Sequence, residues 1–216
     1  MAAAATAARR ARLHRRGVCL EVFTVTWNAV EGVVAIGAGI ATGSVSLIGF
    51  GADSFIEVIS AVALLWRLRR AGPEASAEER GAAEKRALYL VAATFFLLAA
   101  YITYEAIGAL LSGEGPEDST VGLVLSVVSL LVMPALAYSK QRTGREMGSE
   151  ALKADAVETS WVCSYLSLAL LVGVGLNAAF GWWWADPAGA LAMLPVILWQ
   201  GFETLGEARE EGEDAD

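Results

Sequence analysis

Asp53 and Glu57 stand four residues apart inside an apolar run. On a helix that spacing puts both carboxylates on one face. Two like charges one turn apart repel, and loss of water sharpens the conflict until one of them keeps a proton. A divalent cation between them removes the repulsion and is itself liganded. Asp155 and Glu158, three apart, repeat the device later in the chain, with Glu158 the deeper and better-placed ligand. Thr159 and Cys163 follow, and Cys163 could lend a sulfur. Asn28 and Glu31 lie a turn apart in an earlier apolar run. Asn28, Asp155, Thr159 and Cys163 are candidates for a fourth ligand or for orienting the first three, and Glu31 is a candidate proton relay. Glu21 and Glu105 fall near helix ends, where they are expected to reach water.

Each ionisable side chain placed in a bilayer costs about 2.5–3.5 kcal/mol on insertion scales, so it needs a partner, a cavity or a task. A lone acid such as Glu31, Glu105 or Glu203 can be a packing group bonded to Ser, Asn or backbone. That reading is weaker for Asp53 with Glu57, because no Lys or Arg falls mid-run to neutralise them. Protons or a metal must do so. The only histidine, His14, lies in a basic N-terminal stretch. The site is therefore built from oxygens, with Cys163 as the exception. Carboxylate-rich sites suit harder ions such as manganese, whereas zinc often takes His or Cys; iron(II) and cobalt stay open.

These side chains require long apolar helices. Of the 216 residues, 56% are hydrophobic, mean hydropathy is +0.50, and the apolar residues fall in blocks separated by short charged stretches. The pattern predicts an all-α integral membrane protein with six transmembrane helices of roughly 20–25 residues. Their expected spans are 18–41, 44–66, 87–111, 120–139, 150–180 and 187–206. Residues 1–17 form a basic cytoplasmic arm and 207–216 an acidic cytoplasmic tail with too few apolar residues to fold alone. Polar connections are expected over 67–86 and 140–148. With both termini cytoplasmic, all 16 Lys and Arg fall on the cytoplasmic side or at that interface, as the positive-inside rule requires. The Thr42–Gly43 turn, the Gly113–Ser119 loop and the Trp182–Trp184 loop carry none. The net charge of −8 is therefore uninformative about partners. Gly32, Gly37, Gly39 and Gly43, and Gly173 with Gly175, read as small residues that let helices pack closely in lipid.

Other classes find little support. Cys19 and Cys163 form neither a disulfide framework nor a CxxC knuckle. There is no His cluster, no Ser-Lys or Cys-His pairing and no phosphate loop, so an enzyme is not expected, and no nucleic-acid partner is expected. The basic, acid-free N-terminus is read as a cytoplasmic arm rather than a cleaved signal, because the following apolar run is long and carries Asn28 and Glu31. The rival reading is a structural or assembly membrane protein whose acids are packing or proton-holding groups. It predicts that Asp53→Asn and Glu57→Gln are tolerated.

At these residues the sequence resembles the cation diffusion facilitator family. The second helix of that family carries a stretch like Ser44–Glu57, with a small-Asp-Ser-x-x-Asp core supplying two metal ligands; Asp53 fits the first and Glu57 replaces the second. The fifth helix resembles Leu152–Glu158, with an Ala-Asp-x-x-His/Asp core that places a ligand at Glu158. The family's next acid, four residues on, falls on Val162, a departure expected to weaken affinity or change metal preference. Ala185-Asp186-Pro187 matches the family's start of the sixth helix. The resemblance implies six helices with cytoplasmic termini, and alternating access with proton antiport in efflux of a divalent cation. It implies no permanently bound cofactor, the transported ion being zinc or manganese foremost. Most members end in a cytoplasmic ferredoxin-like domain; this chain looks like the membrane-only branch, in which any homodimer uses the transmembrane helices. The expected setting is a multi-pass position in the lipid bilayer of a bacterial plasma membrane.

Overall fold

In a computed structural model, the backbone is described for residues 2–70 and 77–213; the side chains of 1–10, 60–61, 63–87, 150–151, 154, 158 and 210–216 lie outside the described residues. Among the described residues, six helices follow one another: α1 (Ala2–Thr42), α2 (Val45–Arg70), α3 (Ala77–Ser112), α4 (Thr120–Met147), α5 (Glu150–Phe180) and α6 (Ala185–Glu213). The all-α class and the helix count agree with the sequence. Among the described residues, five helices carry stretches long and apolar enough to cross a membrane: 11–42, 88–112, 120–147, 155–180 and 185–209. The remaining helix, α2, carries Asp53 and Glu57 and is walled by α1, α3, α5 and α6.

Several helices are longer than the apolar runs suggested. The Ala- and Arg-rich arm is helical from Ala2 and continuous with the first span, because nothing before Gly43 stops a run of strong helix formers. The connection expected over 140–148 is mostly helix: α4 runs on to Met147 and stops only at Gly148, whose φ of 69° lies in the left-handed region that glycine favours. Ser149 then caps α5 by accepting from the Leu152 N–H, so the turn between α4 and α5 is two residues. The acidic tail extends α6 to Glu213. It lacks a core of its own but continues a helix already formed, and Glu, Ala and Arg sustain one. The polar loop expected over 67–86 shortens to the segment between α2 and α3; Gly72 and Pro73 lie outside the described residues.

The bundle is apolar outside, and its interior holds polar side chains beside an apolar core. Val33, Leu97, Leu131 and Trp161 are exposed, whereas Glu21, Asn28, Glu31, Asp53 and Lys140 are buried. That inversion is what lipid demands, since it offers polar groups no partner. Helices α1, α2, α5 and α4 surround the polar interior, and α3 and α6 pair on one flank against α2 and α5. The α1–α2 hairpin is drawn tight by glycine: a Cβ on Gly32 would lie 3.0 Å from the Gly51 carbonyl oxygen, and one on Gly51 would lie 2.8 Å from Ile36. On α5 and α6, a Cβ on Gly189 would lie 3.0 Å from the Ala169 carbonyl.

One carboxylate fixes the start of α2. Asp186, fully buried at the first turn of α6, accepts from Ser44 Oγ at 2.6 Å and from the Val45 N–H at 2.9 Å. It also accepts from the N–H (3.4 Å) and the hydroxyl of Ser46. Open N–H groups at a helix start favour an acceptor and a negative charge. Here α6 supplies both from 141 residues away. Asp186→Ala is expected to cost about 2–3 kcal/mol, since several charge-assisted bonds lose their acceptor. Thermal unfolding of the detergent-solubilised chain should show a Tm lower by about 5 °C or more; an unchanged Tm would remove the cap from the account.

Candidate metal centre

Glu57 is where three helices meet. Its Oε2 accepts from Asn28 Nδ2 of α1 at 2.6 Å, and its Oε1 accepts from the Cys163 thiol of α5 at 2.8 Å. The antiparallel register of the α1–α2 hairpin makes the first contact. Three residues along, in opposite directions on the two helices, Ser54 Oγ donates to Glu31 Oε2 at 3.2 Å. Asp53, one turn before Glu57, is buried with only 2% of its surface exposed. The spacing argument for a shared face therefore holds, and the face looks into the bundle.

The candidate ligands are distributed unevenly. Asp53, Glu57, Asn28 and Cys163 gather around the same stretch of α2. Thr159 is buried on α5, one turn before Cys163. The side chain of Glu158 lies outside the described residues. Among the described residues, no three of His, Cys, Asp and Glu converge closely enough to hold a metal ion. Val162, at the position where the resemblance puts an acid, is buried among apolar side chains such as Leu166 and Phe50.

Helix α1 turns a polar stripe inward: Glu21, Thr24, Asn28 and Glu31 recur at three- and four-residue intervals and all are buried. Three oxygens on it, Glu21 Oε1, Asn28 Oδ1 and Glu31 Oε1, have no hydrogen-bond partner among the described residues. Ser129 of α4 stands close to Glu31, and its hydroxyl is likewise unpartnered. Buried polar atoms left so cost about 1–3 kcal/mol each, so a native structure that keeps them calls for a reason.

A second polar centre was not foreseen. Lys140 of α4 has no exposed surface; its Nζ lies 2.5 Å from Asp155 Oδ2 of α5 and 3.4 Å from Glu21 of α1. Two expectations change. Glu21 does not reach water near a helix end but is fully buried against a cation. Asp155, weighed as an orienting or ligand group, engages Lys140. Lys140 had been assigned to a polar connection because it follows the last apolar residues of α4. The signal that would have found it is periodicity. Gly122, Ser126, Ser129, Met133, Ala137, Lys140 and Gly144 form one buried stripe along α4, and only residues that match such a stripe turn inward.

Removing one member of a buried ion set leaves its partners uncompensated. Lys140→Met is expected to destabilise the chain by about 3–5 kcal/mol. The triple change Lys140→Met, Glu21→Gln, Asp155→Asn should recover most of that loss in the same thermal unfolding assay. Equal stability of the single and triple variants would show that the charges do not act together.

Comparison with known proteins adds a lineage to this geometry. Residues 23–211 match the cation efflux transmembrane domain. The chain is 30% identical over 175 residues to an uncharacterized transporter of Synechocystis sp., across 80% of this chain and 56% of that protein. It is 28% identical over 166 residues to the cation-efflux pump FieF of Shewanella oneidensis, across 75% of this chain and 55% of that protein. The chain thus spans about half the length of the curated relatives it matches.

Proposed function

This chain belongs to the cation efflux family, and we propose that it carries a divalent metal cation out of the cytoplasm through a site formed by Asp53, Glu57 and Glu158. The observation that carries the reading is the convergence on Glu57, a buried-face carboxylate gripped on one oxygen by α1 and on the other by α5. A side chain held by donors from two other helices is positioned by them. Its orientation is set before a cation arrives, which lowers the ordering cost of binding.

The residues then divide the work. Asp53 and Glu57 supply oxygens from α2, and Glu158 supplies one from α5. Thr159 and Cys163 orient the α5 side. Protons and metal compete for the same carboxylate oxygens, so proton antiport follows from one site serving both. Glu31, a short step from Ser54, passes protons between the site and one side of the membrane. The transported ion is zinc, manganese, iron(II) or cobalt, and the bacterial relatives favour a bacterial plasma membrane as the setting. Exposure of the site to one side and then the other completes the cycle.

Purified protein in proteoliposomes with an internal fluorescent indicator tests this directly. Under a pH gradient, at least one of the four ions should enter the vesicles, and Asp53→Asn should reduce that flux more than tenfold with insertion unchanged. A correctly inserted wild-type protein that moves none of them would leave the acids as packing or proton-holding groups.

A further inference from the structure

Resting on the site proposed above, we infer that α1 completes it: Asn28 Oδ1 supplies the ligand oxygen that α5 lacks at Val162.

Three observations carry this. First, Val162 offers no donor atom and sits in the apolar core, so α5 cannot make good the missing acid at that position. Second, Asn28 is 1% exposed, and its NH2 end faces Glu57 Oε2, 2.6 Å away, the orientation that an ionised Glu57 requires. The carbonyl end is then turned away from that contact, and it has no partner among the described residues. Third, the Cys163 thiol of α5 donates to the other oxygen of Glu57, Oε1. An unpartnered acceptor therefore remains on the α1 residue that touches Glu57, and a cation held by the proposed site would supply its partner.

The donor set has consequences for the cargo. Three carboxylates and a neutral amide oxygen form an all-oxygen site. Such sites suit manganese(II) and similar hard ions over zinc, which favours nitrogen and sulfur donors. A neutral fourth ligand also leaves the site with one negative charge fewer than an acid at Val162 would give. Asn28 is thereby both the residue that holds Glu57 and the one that selects the ion.

The test is manganese(II) binding to the full purified chain in detergent, read by loss of the free-ion electron paramagnetic resonance signal. Wild type, Asn28→Ala, Asn28→Asp and Asp53→Asn are compared, each shown to be folded by gel filtration. Asn28→Ala should weaken binding at least tenfold. Asn28→Asp, which keeps an oxygen but cannot donate an N–H to Glu57, should bind within threefold of wild type or tighter. Binding by Asn28→Ala within threefold of wild type overturns the inference. So does loss in Asn28→Asp equal to that in Asn28→Ala, which would reduce Asn28 to a residue that merely positions Glu57. If Asp53→Asn binds as wild type does, the α2 site itself is wrong, a failure separate from that of Asn28.

Discussion

A helix bundle in lipid must satisfy its polar groups from within, and in this chain that constraint decides where every helix goes. Asp186 is the clearest case. The first N–H groups of α2 would otherwise open into the protein interior, and the carboxylate that meets them comes from α6. The start of α2 is thereby fixed against the far end of the chain, and α2 is the helix that bears Asp53 and Glu57. Glycine contacts at Gly32 and Gly51 bring α1 close enough for a short asparagine side chain to reach Glu57. Each step depends on the one before: cap, close approach, then grip on a carboxylate.

The polar interior is not uniform. Two of the groups on Glu57 are neutral donors, an amide and a thiol. Around Glu21 and Asp155 the partner is a buried cation. Lys140 ties three helices together. For the proposed transport the difference matters, because an ion cannot displace an internal lysine cheaply, whereas it can readily outcompete a neutral hydrogen-bond donor.

Much of this was legible in the sequence. The number of helices, their order and the inward face of Asp53 and Glu57 follow from apolar blocks and a four-residue spacing. Asn28 and Cys163 stood out as polar or sulfur-bearing groups within apolar runs, and the fold brings both onto Glu57. Helix ends were less legible, because hydropathy marks where lipid begins rather than where hydrogen bonding stops. Residues such as Arg142 and Glu146 prolong α4 beyond its apolar run. Lys140 was hidden for the same reason: in a list of charges it belongs to the flank, while on the helix surface it continues the inward stripe. The pairing of Asp186 with Ser44 and Ser46 spans 142 and 140 positions, a distance at which no local pattern speaks.

The two-residue turn between α4 and α5 makes those helices a single lever, and the glycine-packed α1–α2 pair makes another. Lys140 and Asp155 belong to the same lever and travel together. Glu21 belongs to the other. A sliding of one lever on the other therefore leaves the 2.5 Å contact intact and strains the 3.4 Å one. Were the two pairs to slide, Lys140 would work as a ratchet tooth, anchored on one arm and engaging the other, at the end of the bundle remote from the Thr42–Gly43 turn.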